Sequence, residues 1–212
     1  MTNQDKAYKY IKNQIISGKY QPGHVFSENQ LSIRLNMSRT PIREAFKKLE
    51  NDCLIERDRQ ETKVTEVDSE ELKENYELRS MMEGYALNKS FEKLDHDRLD
   101  DFESKFRSAL DEKNWQKYLK CDEQFHHYLT ESDDKATLQK ELDLLQSQTN
   151  RMRYAIRDDQ RCMKSSVKEI LAIIAAVRED NREKAIKKNY VHILKVFMHG
   201  NLLILSSMCS YF

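Results

Sequence analysis

Glycine and proline are scarce in this chain, and their scarcity restricts the folds open to it. Only four glycines and two prolines occur among 212 residues. An all-β protein needs a turn signal roughly every ten residues, and Gly and Pro are the strongest of these signals. Helix interiors are instead weakened by both residues. The sequence therefore predicts a mainly α protein whose few turn residues mark the ends of helices.

Capping residues divide the first part of the chain into three short helices. Gly18 can end a first helix over residues 5–17 in a left-handed conformation. Ser27 begins a capping box for a second helix, and Asn36 can end that helix. Ser38 is the predicted N-cap of a third helix. The apolar residues of the third helix recur at helical spacing and predict its buried face: Ile42, Ala45, Phe46 and Leu49.

Two short extended runs follow the third helix. They cover residues 54–57 and 63–67 and enclose a polar tip at residues 58–61. Three helices followed by a small hairpin are the outline of a winged helix, and the short turn between the second and third helices is the helix-turn-helix. The sequence thus predicts an N-terminal winged helix-turn-helix domain over residues 1–67.

From residue 68 onward, apolar residues follow a period of 3.6 and no strand signal recurs. Short polar links separate six predicted helices, at about 69–91, 95–112, 114–131, 134–157, 161–179 and 182–207. Short links favour antiparallel neighbours, so residues 68–212 are predicted to form a six-helix antiparallel bundle.

Charge and cysteine content indicate a possible partner and the cellular compartment of the protein. Lys plus Arg and Asp plus Glu both total 36, but residues 1–67 are slightly basic, which fits local contact with DNA. The four cysteines are widely spaced, which favours free thiols in a reducing compartment. The N-terminus lacks the apolar core of a signal peptide, and no apolar run could span a bilayer. We therefore expect a cytoplasmic protein.

The start of the third helix is the segment best suited to bind DNA. The hydroxyl groups of Ser38 and Thr40, with the free N–H groups of the helix N-terminus, can hold a phosphate. Arg39 and Arg43 are four residues apart on the exposed face, where their guanidinium groups suit O6 and N7 of guanine. Lys47 lies farther along and suits the phosphate backbone. The alternative is a merely solvated helix face.

These segments resemble the N-terminal domain of the GntR family of bacterial transcription factors. The matching residues are Ile15-Ile16-Ser17-Gly18-Lys19-Tyr20-Gln21-Pro22-Gly23, Ser27-Glu28-x-Gln30-Leu31, Ser38-Arg39-Thr40-Pro41-Ile42-Arg43-Glu44-Ala45 and Leu49-Glu50. The resemblance implies that Arg39, Thr40 and Arg43 contact the operator and that dimers bind a short palindrome. Two places depart from the family: Asn29 replaces a frequent arginine, and residues 59–62 lack the glycine of the wing tip.

Polar residues interrupt the apolar faces of two bundle helices. Asp122 and His126 are spaced i, i+4 on the face of Phe125, and His192 shares a face with apolar residues of the last helix. A buried polar group without a partner costs about 1–3 kcal/mol, so these groups need partners. Metal binding, effector binding and a satisfied core pair all remain open. His127 points elsewhere and is predicted to lie at the surface.

The second part of the chain resembles the ligand-binding domain of FadR-type GntR regulators, the FCD domain, in its shorter VanR-like form. The residues that carry the resemblance are Glu77-Leu78-Arg79-x-x-x-Glu83 with Ala86-Leu87, Asp122-x-x-Phe125-His126, and Ala185 with His192. The resemblance implies that Asp122, His126 and His192 ligate a divalent metal such as zinc or nickel. The metal in turn receives a small carboxylate effector.

One expected ligand is missing, because Ile170 stands where the resemblance places a further histidine. Two interpretations follow: three ligands hold the metal with water completing the shell, or the site binds an organic effector directly. Arg79 suits the effector carboxylate, with a salt bridge to Glu83 as the alternative.

Together these features predict a homodimeric, DNA-binding transcription regulator, most simply a repressor, that responds to a small acidic metabolite. A metal-dependent enzyme in the bundle is a rival hypothesis, but no residue near Asp122 is an evident general base. A helical interaction protein that does not bind DNA is a second rival, against which Arg39 and Arg43 argue. The apolar tail, residues 199–212, is expected to pack on the bundle or across a dimer interface.

Overall fold

The computed structural model describes residues 1–58, 60–66, 68–131, 136–155 and 159–208, with the side chains of residues 136, 152, 154, 155 and 200–208 left aside. The chain forms two compact units. The first comprises Met1–Leu72 with Ser147–Ala155, and the second comprises Lys73–Gln146 with Ile156–Phe212.

Three complete helices and a two-stranded sheet form the N-terminal part of the first unit, as far as the structure describes it. The helices are α1 (Asn3–Ile16), α2 (Glu28–Leu35) and α3 (Arg39–Asn51), and the strands are β1 (Ile55–Arg57) and β2 (Thr62–Val64). The strands pair antiparallel, with Ile55 opposite Val64. Their fully or nearly buried apolar residues pack with those of the helices in one core, which includes Ile11, Leu31, Phe46, Leu54 and Val64. The predicted winged helix-turn-helix is confirmed.

The ends of these helices agree with the capping residues, with one correction. Gly18 has φ +70° and Asn36 has φ 49°, so both adopt the predicted left-handed conformation. The Ser27 hydroxyl accepts a hydrogen bond from the Gln30 N–H at 3.4 Å. Ser38 does occupy the N-cap of α3, but its side chain makes no capping hydrogen bond. Its hydroxyl is therefore not engaged in holding the helix start.

Six further helices follow, as predicted, and differ from the sequence estimates by a few residues at their ends. They are α4 (Ser69–Ser90), α5 (His96–Asp111), α6 (Trp115–Thr130), α7 (Ala136–Ala155), α8 (Gln160–Arg178) and α9 (Arg182–Met208), with a short 3-10 turn at Phe91–Lys93. Asp180 (φ 53°) makes the tight turn between α8 and α9. Among the described residues, no helix combines the length and the hydropathy needed to cross a membrane.

An aromatic cluster forms the core beneath α6. Phe125 on α6 lies between Phe102 and Phe106 of α5, with ring centroids 5.5 and 5.7 Å away. Phe125 and the neighbouring Leu129 are fully buried. Because Asp122 and His126 share that helix face, α6 carries both polar side chains into the interior of the second unit.

Two expectations fall outside the described residues. The packing of the apolar tail concerns side chains from residue 200 onward, and the wing tip includes residue 59. Neither is tested by the contacts of the described residues.

Candidate functional site

The outer face of α3 presents the residues predicted to bind DNA. Ser38, Arg39, Thr40, Arg43 and Lys47 are all exposed. The opposite face of the same helix is completely buried, with Ile42, Ala45, Phe46 and Leu49 at 0% exposure. Helix α3 is therefore held by its apolar face, and its polar face does not contribute to the core.

Arg43 is held by an ion pair that the sequence did not reveal. Its Nε donates to both carboxylate oxygens of Glu28, each at 2.9 Å. Glu28 is the first residue of α2, where the helix dipole favours a negative charge. The hydrogen bond from Arg43 to Glu28 raises the pKa of Arg43, which stays fully charged. Since the Arg43 side chain remains 55% exposed, this pair contributes little to stability, and its charged group stays accessible.

The other two basic residues of this face differ from Arg43. Arg39 forms no ion pair with any of the described residues, whereas Lys47 pairs with Glu44 of its own helix at 2.8 Å. The two arginines, one turn apart, are therefore restrained to different degrees. Arg43 is oriented by Glu28 before any contact with a duplex, and Arg39 is free to adapt.

The second candidate site lies inside the second unit, where α6 and α9 bring three ligand-type side chains together. Asp122 is fully buried, and His126 and His192 are each 1% exposed. Each offers one ligand atom, and these atoms all lie within 4.8 Å of one another. Nε2 of His126 and Nε2 of His192 each lie 3.8 Å from a different oxygen of Asp122. The two imidazole rings are stacked, with centroids 5.3 Å apart.

A carboxylate on α4 orients His126. Nδ1 of His126 donates to Oε2 of Glu83 at 2.7 Å, and Asn189 donates to the same oxygen at 3.1 Å. Burial alone would raise the pKa of Glu83, but His126, Arg79 and the Asn189 hydrogen bond outweigh it and lower the pKa to about 2. Burial lowers the pKa of His126 despite the nearby carboxylates. Since ionised Glu83 can only accept, the hydrogen of neutral His126 lies on Nδ1 and the lone pair on Nε2.

A second carboxylate, that of Glu169 on α8, orients His192. Nδ1 of His192 lies 3.1 Å from Oε2 of Glu169, whose other oxygen accepts from Lys195 at 3.2 Å. The contacts with His192 and Lys195 lower the pKa of Glu169 although burial opposes this. An ionised Glu169 therefore accepts from Nδ1 of His192, and Nε2 of the same ring faces Asp122 at 3.8 Å. Sequence reasoning missed both roles, since it considered Glu83 only as a partner of Arg79 and assigned no role to Glu169.

The residues present fit a metal ion with three protein ligands. Nε2 of His126 is buried and has no hydrogen-bond partner among the described residues. A buried lone pair without a donor is costly, and a cation removes that cost. The two Nε2 atoms lie 3.8 Å from oxygens of Asp122, within the roughly 4 Å that two bonds of about 2 Å to a common ion can span. Each histidine also has the carboxylate partner that metal-bound imidazoles commonly have.

The remaining residues that the sequence assigned to this site are buried in the second unit. Arg79 is 2% exposed, and its Nε donates to Oε1 of Glu83 at 2.7 Å, so the salt bridge foreseen as the alternative is present. Ile170 is fully buried on α8. Tyr118 donates to Asp122 at 3.3 Å and also hydrogen-bonds Ser166 of α8. Asp122 therefore lies beside a hydroxyl pair formed by Tyr118 of α6 and Ser166 of α8.

Two protein families match the chain in succession. Residues 3–63 match the bacterial regulatory proteins of the gntR family, and residues 74–194 match the FCD domain. The HTH-type transcriptional repressor RspR of Escherichia coli is 22% identical over 193 residues, which are 89% of this chain and 85% of that protein. The regulator YdhC of Bacillus subtilis is 24% identical over 200 residues, which are 91% of this chain and 86% of the relative.

Solved structures agree with this assignment at the level of fold. Escherichia coli McbR/YncC superposes with a TM-score of 0.80 at 19% identity, covering 98% of this chain and 99% of that one. A winged helix of the gntR type, followed by a helical FCD domain, defines the class of DNA-binding transcription regulators. The chain belongs to the GntR family, in the group whose second domain is FCD, and it is a regulator and not an enzyme.

Proposed function

We propose that this protein is a cytoplasmic, homodimeric repressor that reads its operator through the exposed face of α3. The observation that carries the proposal is the division of α3 into a completely buried face and a face bearing Arg39, Thr40 and Arg43. In a dimer, two such helices reach half-sites about one helical turn apart, in successive major grooves. Arg43, already oriented by Glu28, suits a guanine edge, and the Ser38 hydroxyl suits a phosphate.

Fluorescence anisotropy with the operator-containing duplex tests this interface. Arg43→Ala is expected to weaken operator binding roughly 10- to 100-fold with an unchanged fold, because one base contact is lost. Arg161→Ala is the matched control, since it removes the same charge from an exposed site on α8. Equal operator affinity for Arg43→Ala and Arg161→Ala would exclude the proposed recognition face.

An apolar stripe on α4 supports the homodimer. Leu78, Met81 and Tyr85 follow one another at helical spacing and are 46%, 56% and 51% exposed. Isolated exposed apolar residues are ordinary, but a continuous stripe on one helix favours a contact surface. A palindromic operator calls for two-fold symmetry, and a second copy of the same stripe would supply a self-complementary interface.

The proposed effector site is the buried cluster of Asp122, His126 and His192, loaded with a divalent metal such as zinc or nickel. When bound, the metal supplies open coordination positions for a small carboxylate. The chain's own residues do the rest: Glu83 and Glu169 fix the two imidazoles, and the cationic Arg79 complements a carboxylate. An effector changes operator affinity only as far as it favours one arrangement of the dimer over another.

Metal content measured on the purified protein tests the loaded site. About one ion per chain is expected for the wild type, and His126→Ala is expected to lose it because a ligand is gone. His127→Ala is the matched control, since His127 is exposed and adjacent on the same helix. Equal metal content in both variants would place any bound ion elsewhere.

Ile170 favours one alternative, in which the same cluster binds an organic effector without a metal. Replacing a histidine by an alkyl side chain removes a ligand and adds apolar surface to the site. In that case metal-free wild type retains its full response to effector in the anisotropy assay, whereas the loaded site requires the metal for that response.

A further inference from the structure

A groove on the surface of the second unit lies between α8 and α9 and collects four lysine side chains. Its volume is about 370 Å³. Lys184, Lys187, Lys188 and Lys195 line the groove from α9, with Val191 between them. Lys187 and Lys188 follow Lys184 by three and four residues, and Lys195 follows Lys188 by seven, so the four lysines share one face of the helix. Glu169 and Ala172 line the opposite side, from α8.

The groove is positively charged in a chain that has no net charge. Four lysines face one glutamate there, whereas Lys plus Arg and Asp plus Glu each total 36 in the whole chain. Lys195 pairs with Glu169 at 3.2 Å, and Lys184 pairs with Glu179 outside the groove at 2.5 Å. Lys187 and Lys188 form no ion pair with any residue that the structure describes. Two neighbouring ammonium groups therefore lack an internal counter-charge.

The chemistry of the groove favours a small ligand with at least two negative charges. Several ammonium groups around one concavity raise the local concentration of anions. Lysine binds phosphate as a point charge and needs no fixed planar geometry, unlike arginine on a carboxylate. A volume of about 370 Å³ lies at the small end of the range for ligand sites. Ala172 and Val191 add a short apolar wall for a carbon skeleton.

We propose that this groove is a second ligand site, beside the buried histidine cluster whose partner Glu169 it shares, and that it binds a small phosphate-bearing metabolite. Lys187 and Lys188 hold the phosphate, and Lys184 exchanges its exposed partner Glu179 for the ligand at little cost. The inference goes beyond the proposed function, since it requires neither a metal at His126 nor an operator.

Isothermal titration calorimetry on the 212-residue protein tests the site with two probes, inorganic phosphate and glycerol 1-phosphate. Sodium chloride of matched ionic strength serves as the reference. Wild type is expected to bind at least one probe saturably, with one site per chain. The double variant Lys187→Ala/Lys188→Ala is expected to lose at least tenfold in affinity.

The matched control is Lys164→Ala/Lys168→Ala, which removes the same charge from exposed positions of α8 outside the groove. Its affinity for the probes is expected to equal that of wild type, and circular dichroism checks the fold of both double variants. The proposal is overturned if wild type shows no saturable binding above the chloride reference, or if both double variants lose affinity equally. It is also overturned if Lys187→Ala/Lys188→Ala weakens only binding to duplex DNA, since the groove would then contact the phosphate backbone of nucleic acid.

Discussion

Single carboxylates decide how the basic and imidazole side chains of this protein are presented. Glu28 holds Arg43 by Nε, and Glu83 and Glu169 each hold one imidazole by Nδ1. In all three cases the carboxylate binds one nitrogen of the guanidinium or imidazole group. The remaining nitrogens of that group are left for a ligand. The group is thus oriented before binding, which reduces the entropy lost when a ligand arrives.

Glu28→Ala tests this orientation at the proposed DNA-binding face of α3. Removing the carboxylate frees Arg43 and also removes a negative charge that repels phosphate. We expect operator affinity to fall severalfold while affinity for a duplex of unrelated sequence stays equal or rises. The ratio of the two affinities, measured by anisotropy at one salt concentration, reports the loss of specificity.

Glu44→Ala is the control for this experiment, because Glu44 pairs with Lys47 on the same helix and its removal changes the charge equally. Its ratio is expected to stay at the wild-type value. A Glu28→Ala variant that binds the operator more tightly with unchanged specificity would show that Glu28 competes with DNA and does not orient Arg43.

Glu169→Gln tests orientation at the buried cluster. A neutral amide no longer fixes the hydrogen of His192 on Nδ1, so fewer molecules present the Nε2 lone pair. Loss of such a partner commonly lowers metal affinity by about 10- to 100-fold. Zinc affinity measured by competition with a chromophoric chelator checks the value. Glu77→Gln, at an exposed site on α4, is expected to leave that affinity unchanged.

The sequence alone identified some residues of the two candidate sites and missed others, for a physical reason. Asp122 and His126 share a face because the helix repeat puts them there, and His192 joined them only through the family resemblance. Glu28 and Arg43 lie on different helices fifteen residues apart, and no periodicity relates them. Their pairing depends on the angle at which α2 meets α3. The partners of the two histidines likewise come from α4 and α8, so tertiary packing alone identifies them.

At the scale of elements, α3 has one face buried in the core and an opposite face that carries the residues proposed to bind DNA. Phe46 is fully buried in the core of the first unit, whereas Arg39 is exposed. Phe46→Ala is expected to lower the free energy of unfolding by about 3–5 kcal/mol, through lost burial and a cavity. Arg39→Ala is expected to change it by less than about 0.5 kcal/mol. Urea denaturation followed by circular dichroism measures both, and similar losses in the two variants would contradict the division.

The turn between α2 and α3 depends on a single left-handed residue. Asn36 has φ 49°, a conformation that asparagine and glycine tolerate and β-branched residues do not. Asn36→Gly is therefore expected to leave stability nearly unchanged, while Asn36→Val is expected to cost about 1–2 kcal/mol. A denaturation midpoint that is equal in the two variants would show that the turn can relax into another conformation.

At the scale of the whole molecule, the proposed dimer ties the bundle to the operator. Met81→Lys places a charge in the middle of the α4 stripe, where a symmetric contact would bring two copies of it together. We expect this variant to shift toward the monomer in light scattering and to lose operator affinity, since each half-site would then be bound separately. Gln124→Lys adds the same charge at an exposed site on α6 and is expected to remain dimeric.

The operator itself supplies the complementary experiment. Two recognition helices related by a two-fold axis reach half-sites on one side of the duplex, so inserting five base pairs between half-sites turns one of them about half a helical turn away. We expect the duplex with five inserted base pairs to bind wild type no better than a single half-site does. An insertion of ten base pairs restores the orientation, and binding is then expected to recover only if the dimer can span the longer distance. Wild-type affinity for the five-base-pair insertion would mean that each chain binds DNA independently, and the α4 stripe would then need another role.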